Sequence, residues 1–253
     1  MGMLDGRVCI VTGAAQGIGA AYARGMAAEG ARVVVADVLD PAPVVDGIRS
    51  AGGEALGTRT DVTDDASLAA MVKSATDGFG GRIDALVNNA ALFGRLKRSR
   101  FEDIAESEFD AVMRVNIRGV WQASRAVVPV MRRQKYGKIV NIASGTVFKG
   151  TPMQLHYVTS KGAVIAMSRA MAREVGDDNI CVNTIAPGLT MSENVVGEKQ
   201  FSDEHFGANI GSRCIRRAEQ PDDLVGAAVF LCSAESDFVT GQVLVVDGGS
   251  AMN

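Results

Sequence analysis

A tyrosine and a lysine stand four residues apart in the segment Tyr157-Val158-Thr159-Ser160-Lys161. On an α-helix two residues with this spacing share a face, so the ammonium group of Lys161 can lie near the phenol of Tyr157. A free phenol, with a pKa of ~10, is a weak base at neutral pH, and a nearby cation favours its ionised form. The pair therefore has the chemistry of a general acid/base in which Tyr157 exchanges a proton and Lys161 tunes its pKa.

Ser144 follows the apolar run Lys138–Ile142, which predicts a buried strand. A hydroxyl at the end of that strand can donate a hydrogen bond to a substrate oxygen and stabilise the charge that develops on it. Taken alone, a strand-end serine is more commonly a cap, and a tyrosine-lysine pair on a helix is more commonly a solvated face. The two features together, downstream of a nucleotide-binding pattern, favour a catalytic site.

That nucleotide-binding pattern is a glycine-rich turn between the first predicted strand and a helix. Glycines allow the backbone to approach a pyrophosphate, whose charge the helix N-terminus stabilises. The predicted cofactor contacts in this turn are Gly13, Gln16, Gly17, Ile18 and Gly19. Asp37 ends the second predicted strand, 18 residues after Gly19, close to the ~20-residue offset expected of an acid that binds a ribose 2′-hydroxyl. Asp37 thus favours NAD, although taken alone it is equally compatible with a turn residue or a helix cap.

These motifs resemble those of the short-chain dehydrogenase/reductase family: Thr12 to Gly19 as TGxxxGxG, Asn88-Asn89-Ala90, a helical Asn116, Ser144 and the YxxxK of Tyr157 and Lys161. The resemblance runs from Gly6 to Gly249 and departs from the family pattern at Ala91, where glycine is usual. It implies a catalytic set of Asn116, Ser144, Tyr157 and Lys161. By the same resemblance Lys161 also binds the nicotinamide ribose, and Asn116 holds a water that links Lys161 to solvent.

The resemblance implies further cofactor contacts at other strand ends. Asp61 and Val62 are expected to contact the adenine, and the segment from Pro187 to Ser192 is expected to hold the nicotinamide carboxamide. The contacts implied beyond the glycine turn and Asp37 are Asp61, Val62, Asn89, Ala90, Tyr157, Lys161, Pro187, Gly188, Thr190 and Ser192.

The elements that must position these residues alternate between short β-branched runs and longer helical stretches, which predicts an α/β fold with a parallel sheet. We expect one Rossmann-like doubly wound domain over residues 1–253, with seven mostly parallel strands, helices on both faces, and a substrate lid at 188–218. The predicted strands are Arg7–Val11, Arg32–Ala36, Ala55–Thr60, Ala85–Asn88, Lys138–Ile142, Cys181–Ile185 and Val243–Val246. The predicted helices are Ile18–Ala28, Asp64–Gly78, Glu106–Asn116 continuing to Gln134, Tyr157–Glu174 and Pro221–Leu231.

Composition restricts the class of partner. The net charge of -3 gives no general attraction to nucleic acid or an acidic membrane, and the basic run at 95–100 is short enough to be a solvated loop or a contact for an acidic substrate group. No apolar run approaches the ~20 residues of a membrane helix, and the four cysteines have no CxxC spacing. The two histidines lack metal-site spacing. We therefore expect a cytoplasmic enzyme without a catalytic metal.

The leading hypothesis is an NAD-dependent dehydrogenase of a secondary alcohol. One alternative is an NADPH-dependent 3-oxoacyl-thioester reductase, against which Asp37 and the absence of Arg or Lys at Gln16 and Val38 argue. A non-catalytic nucleotide-sensing module is a remote alternative, since it would not need an intact Ser-Tyr-Lys set. A cyclic or aromatic substrate is suggested by apolar candidates for the pocket, each of which could equally be core or lid packing: Phe93, Phe148, Met153, Leu155, Phe201 and Phe206. The family resemblance also implies a homotetramer, with Val120–Met131 and the last strand as candidate interfaces.

Overall fold

A computed structural model describes residues 2–196 and 203–252 of the chain. Seven strands form one sheet in the order β3-β2-β1-β4-β5-β6-β7, and each of the six neighbouring pairs is parallel. Their bounds are β1 (Val8–Thr12), β2 (Arg32–Asp37), β3 (Glu54–Arg59), β4 (Ala85–Asn88), β5 (Gly137–Ile142), β6 (Ile180–Pro187) and β7 (Val243–Val246). The seven-stranded, Rossmann-like sheet predicted from the sequence is confirmed.

Helices cover both faces of the sheet. Their bounds are α1 (Gly17–Ala28), α2 (Ala42–Ser50), α3 (Asp65–Gly78), α4 (Glu106–Met113), α5 (Val120–Gln134), α6 (Thr146–Lys149), α7 (Leu155–Val175), α8 (Asp203–Gly211) and α9 (Val225–Cys232). One apolar core joins the sheet to α1, α2 and α9, and a second joins it to α3, α5 and α7. Because both faces are covered, every residue of the inner strands β1, β4, β5 and β6 is buried, and most of these residues are apolar.

Several stretches differ from the sequence prediction. The short helix α6 was not predicted, and the helix expected at Pro221–Leu231 begins as a 3-10 turn, Pro221–Leu224, before α9. The helix expected to run without a break from Glu106 to Gln134 contains a π-helical turn, Arg114–Gly119, between α4 and α5. The short helix α2 was not predicted, because its first turn contains Pro43 directly after Pro41-Ala42 and so resembles a loop. Proline is nevertheless well suited to the first turn of a helix, where its missing N–H would have had no partner.

The strand order reverses beside β1, which has β2 on one side and β4 on the other. At such a switch point the connections leave in opposite directions and open a crevice at the carboxyl ends of the strands, where ligands bind in sheets of this type. The glycine turn, Asp37 and Asn89 all follow strands that end at this edge. Within the described part of the chain, no helix combines the length and apolar character needed to cross a membrane.

Candidate active site

The glycine turn connects β1 to α1 with little space for side chains. Gly13 and Gly17 have φ values of +64° and +58°, in the left-handed region that favours glycine. A methyl group on Gly19 would lie 2.1 Å from the Gly13 carbonyl oxygen, so only glycine fits there. A methyl group on Gly17 would meet nothing closer than 3.5 Å. The turn is therefore closely packed at Gly19 and leaves free space at Gly17, and a phosphate-binding turn needs such space.

A carboxylate occupies this cradle in the structure. Gly17 N–H, at the start of α1, donates a hydrogen bond to Glu193 Oε2 over 3.0 Å. The Gly17 N–H therefore has an anionic partner at the place where the sequence predicts the pyrophosphate, and the pyrophosphate contact itself stays a prediction. Glu193 was not singled out from the sequence, since an acidic residue in an irregular segment has no periodicity that links it to a turn 176 residues earlier.

Asp37 lies at the end of β2 and is 7% exposed. Its Oδ2 accepts the N–H of Ala15 (2.8 Å) in the glycine turn, and its Oδ1 accepts the N–H of Leu39 (2.9 Å). The carboxylate is thus fixed beside the cradle by two backbone donors. Val38 next to it is 60% exposed, so a larger side chain can be introduced there without disturbing the core.

The asparagine pair after β4 holds the central strands together. Asn89 Nδ2 donates to the carbonyl oxygens of Thr12 (3.1 Å) and Gly13 (2.9 Å). Asn88 Nδ2 donates to Asn141 Oδ1 (2.8 Å) on β5 and to Ser124 Oγ (3.0 Å) on α5. Asn89 therefore shapes the glycine turn directly, and its predicted place beside the cofactor stays a prediction.

Tyr157 and Ser144 meet at the carboxyl end of β5. Tyr157 is buried, and its ring packs against Phe93 with centroids 4.6 Å apart. Burial raises the pKa of Tyr157 to about 12, while a hydrogen bond with the Ser144 side chain acts in the opposite direction. Without a further positive charge, the phenol is a proton donor at neutral pH rather than a base.

Lys161 lies one turn further along α7, as its spacing predicts. Its Nζ is 5.8 Å from the centroid of the Tyr157 ring and donates a 2.7 Å hydrogen bond to the Ile142 carbonyl oxygen. Burial lowers the pKa of Lys161 to about 8. The causes that act on the pKa of Tyr157 are burial and the Ser144 hydrogen bond, and burial is the larger. At pH 7 the phenol is therefore neutral and the Lys161 amine is mostly protonated.

Asn116 is in the π-helical turn and is fully buried. Its Oδ1 accepts the Leu92 N–H (2.8 Å), and its Nδ2 donates to the Leu92 carbonyl oxygen (3.2 Å) and to Ser160 Oγ (3.1 Å). Ser160 Oγ in turn donates to the Tyr157 carbonyl oxygen over 2.7 Å. Asn116 therefore ties the loop after β4 to the helix that carries Tyr157 and Lys161. The water expected at Asn116 stays a prediction.

The segment after β6 carries the remaining predicted contacts. Gly188 N–H donates to the Val246 carbonyl oxygen (3.0 Å), and Thr190 Oγ1 donates to Glu219 Oε1 (3.0 Å). Arg213 pairs with Glu219 at 3.3 Å, and both side chains are almost completely buried. Neither Arg213 nor Glu219 was singled out from the sequence, because both lie in a loop without regular hydrophobic spacing, and nothing in such a loop predicts which charged residues form a pair.

Asp61 and Val62 follow β3 at the same edge of the sheet. Asp61 Oδ1 accepts both the N–H and the hydroxyl of Thr63 at 2.8 Å, which forms the turn before α3. Val62 is buried. These contacts explain both residues structurally, so their predicted contact with adenine stays a prediction. Ala91 is exposed and its backbone is outside the left-handed region, so its methyl group causes no strain.

The apolar residues proposed for the substrate pocket do not all face one site. Phe93 packs on Tyr157, and Phe148 packs against the core beside α7. Met153 and Leu155 line a separate cavity, whose lining includes Arg100 and Phe101 but neither Ser144 nor Tyr157. Phe206 is in α8, within the predicted lid, whereas Phe201 lies outside the described residues. The structure therefore weakens the indication of an apolar substrate.

His156 precedes Tyr157, and its Nε2 is 3.0 Å from Glu108 Oε1. This contact joins α7 to α4 and explains the histidine as a packing residue. Among residues 2–196 and 203–252, no group of three histidine, cysteine or acidic side chains could hold a metal ion. The four cysteines are free, and Cys214 is exposed.

The chain is similar to known proteins over nearly its whole length. The family profile described as Enoyl-(Acyl carrier protein) reductase matches residues 13–251. The chain is 37% identical over 263 residues to galactitol 2-dehydrogenase of Agrobacterium fabrum, covering 99% of both chains. It is 36% identical over 250 residues to a 3-oxoacyl-(acyl-carrier-protein) reductase of Thermotoga maritima, covering 97% of this chain and 98% of that one.

A solved structure is similar to this chain in both sequence and fold. The crystal structure of a putative NAD(P)-dependent gluconate 5-dehydrogenase from Beutenbergia cavernae, with NADP bound at low occupancy, superposes with a TM-score of 0.89. The two sequences are 35% identical, and the match covers 98% of this chain and 97% of that one. Similarity therefore extends over the whole sheet and every strand end that carries a predicted site residue.

Proposed function

The chain belongs to the short-chain dehydrogenase/reductase family, an oxidoreductase family, and we propose that it oxidises a secondary alcohol, or reduces the corresponding ketone, with NAD as cofactor. The observation that carries this proposal is the buried Tyr157, hydrogen-bonded to Ser144 and followed one helical turn later by a buried Lys161. These three groups stand at the edge of the sheet that also bears the phosphate cradle. An acid/base group beside a nucleotide cradle is the arrangement that hydride transfer at a CH–OH carbon requires.

In this proposal Tyr157 Oη takes the hydroxyl proton during alcohol oxidation and returns it during ketone reduction. Ser144 Oγ donates a hydrogen bond to the reacting oxygen and stabilises its negative charge. Lys161, protonated at pH 7 because its pKa is about 8, supplies the nearby positive charge that the buried phenol needs to give up its proton. A bound nicotinamide supplies the hydride acceptor or donor for the carbon.

The cradle residues Gly13, Gln16, Gly17, Ile18 and Gly19 are proposed to hold the pyrophosphate, with Asp61, Val62, Asn89 and Ala90 along the adenosine side and Pro187, Gly188, Thr190 and Ser192 at the nicotinamide. Lys161 is proposed to hydrogen-bond the nicotinamide ribose, and the ring of Tyr157 is proposed to contact the cofactor beside it. The carboxylate of Glu193 would have to leave the Gly17 N–H for a pyrophosphate to take its place.

NAD is proposed over NADP because Asp37 is held beside the cradle by two backbone donors. A 2′-phosphate there would bring like charges within a few ångströms of each other, at a cost of about 4 kcal/mol for unit charges 4 Å apart and an effective dielectric of 20. Gln16, Val38 and Leu39 offer no cation to offset this repulsion. The Beutenbergia relative contains NADP, so the choice of cofactor requires direct measurement.

Polyhydroxylated alcohols are the first substrates to test. Thr146, two residues after Ser144, and Gln154, three residues before Tyr157, each have a buried polar atom without a hydrogen-bond partner, Oγ1 and Nε2 respectively. Buried polar groups without partners are rare and costly, and a substrate with additional hydroxyls could satisfy them. The names galactitol 2-dehydrogenase and gluconate 5-dehydrogenase describe polyol and sugar-acid substrates in two relatives. Cyclic and aromatic alcohols form the second arm of the test.

The test is a panel of alcohols assayed by the formation of NADH or NADPH, with a 3-hydroxyacyl thioester included for the biosynthetic alternative. We expect turnover of at least one polyol or sugar acid with NAD, and a kcat lower by about 10²- to 10⁴-fold in the Tyr157→Phe variant. Turnover of the thioester alone, with NADP, would refute this proposal and favour a 3-oxoacyl-thioester reductase. The Thermotoga relative is named for that activity. Absence of nicotinamide cofactor binding would refute both and favour a non-catalytic module.

A further inference from the structure

Arg213 and Glu219 form a buried ion pair beneath the segment that follows β6. The two residues are 4% and 5% exposed, and Arg213 Nη2 lies 3.3 Å from Glu219 Oε2. Charged side chains are almost never this deeply buried unless they are paired, and a buried pair adds little to global stability compared with apolar residues of similar size. The contacts of the pair, rather than its burial energy, indicate what it does.

Those contacts converge on four consecutive residues. Arg213 Nη2 donates to the Leu189 carbonyl oxygen (2.8 Å), Thr190 Oγ1 donates to Glu219 Oε1 (3.0 Å), and Met191 N–H donates to the Glu219 carbonyl oxygen (2.8 Å). A methyl group on Gly188 would lie 2.5 Å from Glu219 Oε2 and 3.1 Å from Arg213 Nη2. The pair therefore fixes the position of residues 188–191, and its side chains fill the space on the buried side of this segment.

We propose that Arg213 and Glu219 are positioning residues that hold residues 188–191 in the conformation that binds the nicotinamide end of the cofactor. This inference rests on the proposed function, because Gly188 and Thr190 are nicotinamide contacts only in that proposal. Neither Arg213 nor Glu219 touches the reacting atoms. They act through the backbone that they hold.

The chain offers a matched control in the same stretch. Arg217 forms an ion pair with Asp223 in which two nitrogen-oxygen distances are 2.6 Å, but Arg217 is exposed, and within the described part of the chain neither side chain hydrogen-bonds to residues 188–191. Arg217→Gln therefore removes an ion pair of better geometry from the same segment without removing support from the nicotinamide contacts. Glu219→Gln keeps the shape of the side chain and removes its charge. Arg213→Met combined with Glu219→Leu removes both charges, so that no unpaired charge remains buried.

Two measurements test the proposal independently. In the cofactor-free protein, hydrogen exchange of the amides at 188–191 should become faster in Glu219→Gln and in the double variant, but not in Arg217→Gln. In fluorescence titrations with NADH, the two variants should raise Kd about tenfold, the equivalent of one lost hydrogen bond, whereas Arg217→Gln should stay within about twofold. The KM for cofactor should rise more than kcat falls.

A pH profile separates positioning from general support of the fold. Burial raises the pKa of Glu219 to about 7, with Asp247 acting in the same direction and Thr190, Arg213 and the Gly188 backbone opposing it. Among the described residues, Tyr22 on α1, Lys149 on α6 and the exposed Arg217 also interact electrostatically with Glu219. The charged carboxylate makes the ion pair, so the Kd for NADH should rise in the wild type as the pH falls through about 7. In Glu219→Gln that dependence should be absent.

The outcomes distinguish this inference from the proposed function. If wild-type protein binds NADH and both variants match it in Kd and in exchange at 188–191, Arg213 and Glu219 are not positioning residues. If wild-type protein does not bind NADH, the proposed function fails and the assignment to a nicotinamide site fails with it. Should Glu219→Gln not fold, the double variant decides the result.

Discussion

Replacing Asp37 with serine and Val38 with arginine should move the preference of the enzyme from NAD toward NADP. The first change removes a carboxylate that lies beside the cradle, and the second adds a cation at a position that is 60% exposed. Repulsion of about 4 kcal/mol between unit charges corresponds to about 10³-fold in relative affinity, which is the upper limit for the part of the shift that comes from removing the carboxylate. We expect the ratio of kcat/KM for NADP to that for NAD to rise by about 10²- to 10³-fold.

Replacing Asp37 with serine also lowers the stability of the fold, because it removes a hydrogen-bond acceptor. Asp37 accepts the N–H groups of Ala15 and Leu39, and a serine hydroxyl can replace only one of these acceptors. Losing a buried hydrogen bond costs about 1–3 kcal/mol, so Tm should fall by several degrees and NAD turnover should fall as well. Val38→Arg alone breaks neither bond and should leave Tm unchanged.

Asp37→Asn separates charge from hydrogen bonding, because the amide retains one oxygen acceptor and carries no charge. Steady-state kinetics with both cofactors for Asp37→Asn, Val38→Arg and the double variant provide the assay. Arg59, which pairs in register with Asp37 from β3 and is exposed, is tested by Arg59→Ala as a source of residual phosphate binding. Equal use of NADP and NAD by the wild type, or an unchanged cofactor ratio in Asp37→Asn, would show that Asp37 does not select the cofactor.

Three further predictions concern the catalytic pair and the assembly. Tyr157→Phe should lower kcat about 10²- to 10⁴-fold while Kd for NADH stays within about twofold, because the ring still packs on Phe93 but cannot exchange a proton; near-normal kcat would exclude Tyr157 as the acid/base. Lys161→Met should abolish turnover, raise the KM for cofactor and raise Tm at pH 7, because burial penalises the ammonium below its pKa of about 8. Between about pH 8 and 10.5 Lys161 is protonated in the unfolded chain but neutral in the folded protein, so the stability of the wild type rises with pH over this range. The Tm advantage of Lys161→Met should therefore shrink over the same range. A Tm below that of the wild type at pH 7, with an unchanged KM for cofactor, would contradict this prediction. Light scattering should give about four times the chain mass of 26.5 kDa, since Trp121 on α5 and Leu244 on the edge strand β7 expose apolar surface, and a monomer at micromolar concentration would refute the tetramer.

The sheet could be predicted from the sequence because each inner strand is buried on both faces. Apolar runs such as Val33–Ala36 are visible without knowledge of their neighbours, and the glycine turn marks the first crossover. The spacing of Tyr157 and Lys161 likewise fixes their common helix face. These are local signals, and the structure places both side chains as their spacing requires.

Other parts of the site depend on contacts between distant residues. The hydrogen bonds of Asn116 to Leu92 span 24 residues, and the bond from Gly17 to Glu193 spans 176, so no window of sequence contains either pair. Burial also reversed an expectation: the proximity of Lys161 suggested a lowered pKa for Tyr157, but desolvation of the phenol is larger and raises it. The extent of desolvation can be judged only once the packing around the ring is known.

The π-helical turn at Arg114–Gly119 sets the rotational phase of the helix that follows it. Val112 and Val120 are eight residues apart, and on a uniform α-helix, at about 100° per residue, they would point about 80° away from each other. Both are buried, but in different clusters, Val112 with Tyr157 and Val120 with Val164, so the winding of the π turn determines which cluster each helix contacts. Deleting one residue from this turn would rotate α5 by about 100° relative to α4 and turn Val127 and Met131 away from the core. The packing of α5 against the core therefore requires the number of residues in this turn to stay constant.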